Sequence, residues 1–145
     1  MKSLLQQHAL HKCACFNTRK SARVLTKHYD DALQTLELKP TQFTILAILS
    51  SVDVITVTEL ANIMILDRTT LTRNLRPLEK QKLIKTAAGD DRRTRMISLT
   101  KKGLIKLEAA IPLWKQAQKE VTKYLGNKRF DLFLNELNYV EKMPI

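Results

Sequence analysis

Apolar residues recur along this chain with a helical period in several stretches and with a period of two in one. The first helical stretch runs from about His8 to Leu36, with Ala14, Ser21, Ala22, Leu25, Tyr29, Ala32, Leu33 and Leu36 on one stripe. Its apolar residues spill beyond that stripe, as in a helix with more than one partner. Lys39-Pro40 opens a second helix, with proline at the first position, where its missing N–H costs nothing. Phe43, Ile45, Leu46, Ile48 and Leu49 make that helix apolar almost all round, so it belongs at the centre of the core. Residues 51–54 connect onward, and Ile55 can add a short strand. Val57, Leu60, Ala61 and Met64 then stand at i, i+3, i+4 and i+7, and Thr56 with Glu59 forms a capping box before them. Asp67 is placed to cap the next helix, which turns Leu71, Leu75 and Leu78 inward. Pro77 predicts a kink or an irregular last turn there.

The period then drops to two. Leu83–Thr86 and Arg95–Leu99 read as strands, and Ala87–Thr94, which contains Gly89, reads as the turn between them. Thr100 caps a long helix from Lys101 to Leu125, with Leu104, Leu107, Ile111, Trp114, Ala117, Val121 and Leu125 on one face and a bend expected at Pro112. Gly126-Asn127 ends it, and a last helix over about Lys128–Glu141 carries Phe130, Phe133, Leu134, Leu137 and Val140.

Two short helices followed by a hairpin make a winged helix-turn-helix. The polar side of its second helix carries Thr69, Thr70, Thr72, Arg73 and Arg76, and the hairpin carries Arg92, Arg93 and Arg95. Hydroxyls and guanidiniums at such positions are groups that read base edges and hold phosphates. The expected architecture is mainly α with a small β-wing. Residues 1–145 form one domain, with a winged helix-turn-helix at 40–100 flanked by dimerisation helices at 1–39 and 101–145. The flanking helices carry more apolar surface than a small winged helix can cover. A two-fold homodimer is therefore expected, with its two reading helices one DNA turn apart on a pseudo-palindromic operator.

Charge sharpens this picture. The net charge is +11, and the segment from Asp67 to Lys106 carries 12 Lys and Arg against 4 Asp and Glu. Most of the excess thus lies on the helix and wing, as a nucleic-acid footprint should. A protein-interaction or thiol-sensing module without specific DNA binding is the alternative, though it has no need of a basic wing. Duplex RNA is a poorer partner, because its major groove is too narrow for a helix. No apolar run approaches the roughly 20 residues of a membrane span, so no membrane partner is expected and the cytoplasm is the expected compartment. There is no glycine-rich phosphate loop and no nucleophile–base set, so neither an enzyme nor a cofactor is expected.

The two cysteines and three histidines all lie in the first 28 residues: His8, His11, Cys13, Cys15 and His28. Three readings compete: cysteines buried as small hydrophobes, a redox switch, or a soft-metal site. Cys-x-Cys within a helix would point its sulfurs to opposite sides, which is poor geometry for one metal ion or for a mutual disulfide. Lys12 and Arg19 near Cys15 would favour its thiolate.

Asp91-x-Arg93, Ile97-x-Leu99-Thr100 and Gly103 resemble the wing and exit of the MarR family of bacterial transcription regulators. Leu71-Thr72-Arg73-x-Leu75, Leu78-Glu79 and Leu83-Ile84 resemble its recognition helix and following strand. The resemblance implies a dimeric, duplex-DNA-binding regulator, commonly a repressor released by an effector, and a contact in which Asp91 braces Arg93. Cys15-Phe16, Arg23 and Thr26-Lys27-x-Tyr29 further resemble the organic-hydroperoxide-sensing branch. There a cysteine at the place of Cys15 is oxidised, and tyrosines of the partner subunit hold its thiolate. Tyr29 matches one of them, the other falls at Pro40, which has no hydroxyl, and Cys13 is an additional thiol. The implied effector is an oxidant or a small molecule.

Overall fold

The computed structural model describes residues 9–91 and 93–144. Among them the order is α1 (Ala14–Leu33), α2 (Pro40–Ser50), β1 (Ile55–Thr56), α3 (Val57–Ile63), α4 (Arg68–Lys80), β2 (Ile84–Ala88), β3 (Arg95–Leu99), α5 (Lys101–Leu125) and α6 (Asn127–Val140). Short 3-10 turns stand at Leu10–Lys12 and Gln34–Leu36. The mainly helical, winged architecture read from the sequence is the one observed.

As its all-round apolar sequence requires, α2 is central. Ile45, Leu46 and Leu49 are buried, and Phe43 stacks on Trp114 of α5 with ring centroids 5.7 Å apart. Leu60, Leu71, Leu75, Leu78, Leu83 and Ile97 close the same core from the winged helix. The sheet is antiparallel in the order β1-β3-β2, with Ile55 opposite Ile97 and Thr86 opposite Ile97 on its other side. Ile55 is thus the short third strand expected.

Local capping corrects several boundaries. The first helix does not run unbroken from His8 to Leu36. Cys13 has extended backbone and its Sγ accepts the Phe16 N–H at 3.5 Å. The Asn17 side chain donates to the carbonyls of His11 and Cys13, both at 2.9 Å. The thiol thus satisfies one of the N–H groups that a starting helix leaves open, the Asn17 amide holds the preceding turn to the helix, and α1 begins after Cys13. At the other end a 3-10 turn and left-handed Glu37, φ 51°, divert the chain. Of the expected stripe Leu33 is buried and Leu25, Tyr29, Ala32 and Leu36 are half-buried, whereas Ala14, Ser21 and Ala22 are exposed.

Helix α4 runs through Pro77 to Lys80 without the irregular last turn anticipated. Pro77 is exposed, so the bond that its absent N–H leaves unmade faces water. Helices α3 and α4 end alike. Leu66 N–H reaches the Ala61 carbonyl at 2.9 Å and Leu83 N–H reaches that of Leu78 at 2.9 Å, with Ile65 and Lys82 left-handed at φ 50° and 59°. These are Schellman turns with a side chain where glycine is usual. The second turn uses Leu83, so β2 starts at Ile84 and extends to Ala88, two residues past the expected end.

Thr100 caps α5 by accepting the Gly103 N–H at 3.0 Å, while its own hydroxyl reaches the Lys82 carbonyl at 2.7 Å. Pro112 lies within α5 and does not interrupt it. Helix α6 begins one residue before the expected start and buries no side chain completely. Among the described residues no helix is long and apolar enough to cross a membrane.

Candidate nucleic-acid interface

The polar face of α4 is set by what lies behind it. Leu71, Leu75 and Leu78 are buried at i, i+4 and i+7, so the residues between them turn outward. Arg68, Thr69, Thr72, Arg73 and Arg76 line one shallow groove along this face. Among the described residues no carboxylate pairs with Arg68, Arg73 or Arg76. Their guanidiniums are therefore free to meet an anionic partner. Sequence reasoning missed Arg68, although it stands at i, i+4 and i+8 with Thr72 and Arg76, a spacing that places it on the same face.

Thr70 is engaged differently from its neighbours. Its N–H and hydroxyl both reach Asp67, at 2.8 and 2.6 Å. The hydroxyl bond, then the backbone bond, holds the Asp67 carboxyl below its usual pKa. Thr56 does the same for Glu59 at the start of α3, where Glu59 accepts the Thr56 N–H at 2.9 Å. Thr70 thus spends its hydroxyl positioning α4 instead of facing outward.

In the wing the Gly89 N–H meets the Thr94 carbonyl at 2.8 Å. Asp91 braces Arg93 through the backbone: its Oδ1 accepts the Arg93 N–H at 3.0 Å, and the guanidinium is left out of that contact. Arg93 and Arg95 share a cleft of about 260 Å³ with Thr56, Val57, Thr58, Arg68 and Thr94, so α3, α4 and the wing meet at one basic surface. Arg95 is tethered, however, to Glu79 of α4 at 3.4 Å and to the Thr86 hydroxyl at 3.3 Å. Arg92 lies outside the described residues.

Comparison with known proteins fits this surface. The MarR family model matches residues 38–95, the stretch that holds α2 to the first residue of β3. The organic hydroperoxide resistance transcriptional regulator of Bacillus subtilis is 31% identical over 78% of this chain and 78% of its own. The chain belongs to the MarR family. A structure of the M. tuberculosis regulator MosR in complex with DNA is similar at TM-score 0.76 and 39% identity, covering 91% of this chain and 100% of that one. A mutant E. coli MarR complexed with operator DNA shares the fold at TM-score 0.82 and 21% identity, covering 96% and 99% of the two chains.

His8 lies outside the described residues, and among those described the amino-terminal candidates of this MarR-family chain do not form a site within one protomer. Cys13 is the half-buried cap of α1 and not a residue inside the helix, so the opposite-faces argument for Cys13 and Cys15 does not apply to it. Cys15 is exposed, and both thiols are free. Tyr29 lies 14 positions beyond Cys15, about 21 Å along a helix. Its hydroxyl donates to Gln118 Oε1 of α5, and burial there raises its pKa. His28 Nε2 stands 3.1 Å from the Ala117 carbonyl and 3.5 Å from Glu120. Among the described residues no group of three or more His, Cys, Asp or Glu could hold a metal ion. What α1 and α5 form instead is an apolar groove of about 700 Å³, lined by Val24, Leu25, Val121, Tyr124, Leu125 and, from α6, Phe133. Val24 is 71% and Tyr124 89% exposed.

Proposed function

We propose that this chain is a sequence-specific duplex-DNA-binding transcription regulator that acts as a homodimer, represses its target and releases DNA on meeting an effector. The observation that carries the reading is the face of α4: three unpaired arginines and two threonines in one groove, backed by three buried leucines. A helix so equipped can lay Arg73 and its neighbours against base edges, while wing Arg93 reaches the adjacent backbone. The MosR and E. coli MarR structures, each complexed with DNA, support this use of the fold.

Dimerisation rests on the uncovered apolar groove of α1, α5 and α6, whose aliphatic and aromatic lining is costly to leave in water. A two-fold partner would cover it and space two copies of α4 for a pseudo-palindromic site. For control, exposed Cys15 is the best trigger on α1, and the hydroperoxide-resistance relative supports an oxidant as effector. Oxidation of Cys15 to a sulfenic acid or a mixed disulfide would add bulk and polarity at the helix expected in the interface. Cys13, the half-buried cap of the same helix, is not needed for that oxidation in this reading. In this reading Tyr29 meets Cys15 only across the dimer.

The test is recovery of bound fragments from random duplex DNA, with and without mild hydroperoxide, for wild type, Cys13→Ser and Cys15→Ser. Enrichment of a two-fold symmetric site, lost on oxidation in wild type and Cys13→Ser but kept in Cys15→Ser, is the expected result. No enrichment would refute DNA reading. Enrichment with an equal oxidant response in all three proteins, or none in any, would refute the Cys15 trigger and leave a small-molecule effector.

A further inference from the structure

The hairpin alternates, and its two faces have different fates. Ile84, Thr86 and Ala88 of β2 share a face with Leu99, Ile97 and Arg95 of β3, since these are the register partners. Ile84 and Ile97 on that face are buried against the core, whereas Lys85 and Ala87, on the opposite face, are exposed. Arg95 therefore extends the inward face toward the tip, beyond the last buried residue. There it meets Glu79, on the penultimate residue of α4. Arg95 Nη2 lies 3.4 Å from Glu79 Oε1 and 3.3 Å from Thr86 Oγ1, and the Thr86 hydroxyl donates to the same carboxylate oxygen. Among the described residues these are the only side-chain hydrogen bonds between α4 and strands β2 and β3. Among the described residues of the outer wing, 87–91 and 93–94, no side chain is buried that would otherwise fix its angle.

We propose that Glu79 is a positioning residue for DNA reading: through Thr86 and Arg95 it fixes the angle of the wing to the recognition helix, and Arg95 belongs to this brace rather than to the DNA contact. The proposal rests on the duplex-DNA reading above. One carboxylate oxygen collects a hydroxyl and a guanidinium from two different strands, so both strands are referenced to one point on α4. The half-exposed pair contributes little to overall stability, because solvent screens it. Its effect lies in where Arg93 is presented: a wing free to swing loses binding each time it must be ordered on the duplex.

Glu79→Gln separates the brace from plain electrostatics by sign. The substitution keeps the side-chain shape and removes a negative charge near the duplex. If Arg95 were a DNA contact that Glu79 merely attenuates, the freed guanidinium would tighten binding and steepen the salt dependence by about 0.9 per added phosphate contact. The brace requires the reverse: Glu79→Gln weakens binding to the duplex recovered by wild type by about three- to tenfold, as expected for losing one charge-assisted bond. Arg95→Ala, added to Glu79→Gln, should then bring little further loss, because the two act as one unit. Binding by Glu79→Gln as tight as wild type or tighter, or fully additive losses, overturns the proposal. A second arm uses no DNA. Amide exchange at Gly89 and Thr94, whose N–H groups close the wing turn, should quicken several-fold in Glu79→Gln while the Leu46 and Leu75 amides keep their rates. Unchanged exchange in the wing overturns the brace even if no duplex is ever recovered, an outcome that would separately refute the DNA-binding reading.

Discussion

Gly103 offers the sharpest stability test, because two effects of known size oppose each other there. It is the third residue of α5, and in a solvent-facing helix replacing glycine by alanine gains about 1 kcal/mol. Here an alanine Cβ would stand 2.0 Å from the Leu83 carbonyl oxygen, 2.7 Å from Leu99 Cδ1 and 2.9 Å from the Leu83 carbonyl carbon. Ordinary contact is about 3.5 Å, so α5 or the entry to β2 must move by about 1.5 Å. The Leu83 oxygen cannot move freely, because it accepts the Thr100 N–H at 3.1 Å and the Thr100 hydroxyl at 3.0 Å. Overpacking costs about 1–3 kcal/mol, and each weakened hydrogen bond about 1 kcal/mol. Less the helical gain, Gly103→Ala should destabilise by about 2–4 kcal/mol, which lowers the melting temperature of a chain this size by about 5–15 °C. Thermal unfolding by circular dichroism reads this directly. An alanine variant that melts above wild type would show that helix propensity wins and that the close approach of α5 to the wing base is not as described.

Three further outcomes are expected. Lys82→Gly should raise stability by about 1 kcal/mol, since Lys82 sits in left-handed backbone at φ 59° and glycine does not pay the Cβ clash there; a lower melting temperature would contradict the turn assignment. Asp67 and Glu59 have folded pKa values lowered by their hydroxyl and backbone bonds to Thr70 and Thr56, so their stabilisation is present above the usual carboxylate range and lost as pH falls through those lowered values. The Asp67→Asn/Glu59→Gln double variant should accordingly lose less stability than wild type between about pH 5 and pH 3, and parallel losses would contradict the assigned caps. Arg93→Ala should weaken binding to all duplexes and lower the slope of log affinity against log salt by about 0.9; a fall in affinity at constant slope would remove Arg93 from the phosphate contacts.

Most of the architecture was legible because periodicity and caps agreed. Leu71, Leu75 and Leu78 forced the face of α4, and the Thr56–Glu59 and Thr100 caps fixed helix starts that the structure reproduces. The breaks were harder to read. Ile65 and Lys82 end helices in left-handed turns without the glycine that marks such positions, and only three glycines occur in the chain. Cys13 caps α1 although cysteine is not a usual cap residue. At the site, residue types told which side chains could meet DNA but not which were already engaged: the Asp67 cap also takes the Thr70 hydroxyl three residues on, and Arg95 is held by Glu79, 16 positions away, a bond that no local spacing shows. Cys15 and Tyr29 stand 14 positions apart on one helix, which keeps them apart within a protomer, so the contact that the resemblance implies is proposed across a dimer.

The central claim is that the outward face of α4 reads base pairs, and Arg73 tests it most directly. Its guanidinium is exposed, unpaired among the described residues and opposite the buried leucines. Equilibrium affinity of wild type and Arg73→Ala should be measured on the duplex recovered by wild type and on every single-base-pair variant of it. The expected result is a loss of about 1–3 kcal/mol with Arg73→Ala, together with relaxed preference at one base pair of each half-site. Unchanged affinity, with the preference of wild type intact at every position, would contradict the account.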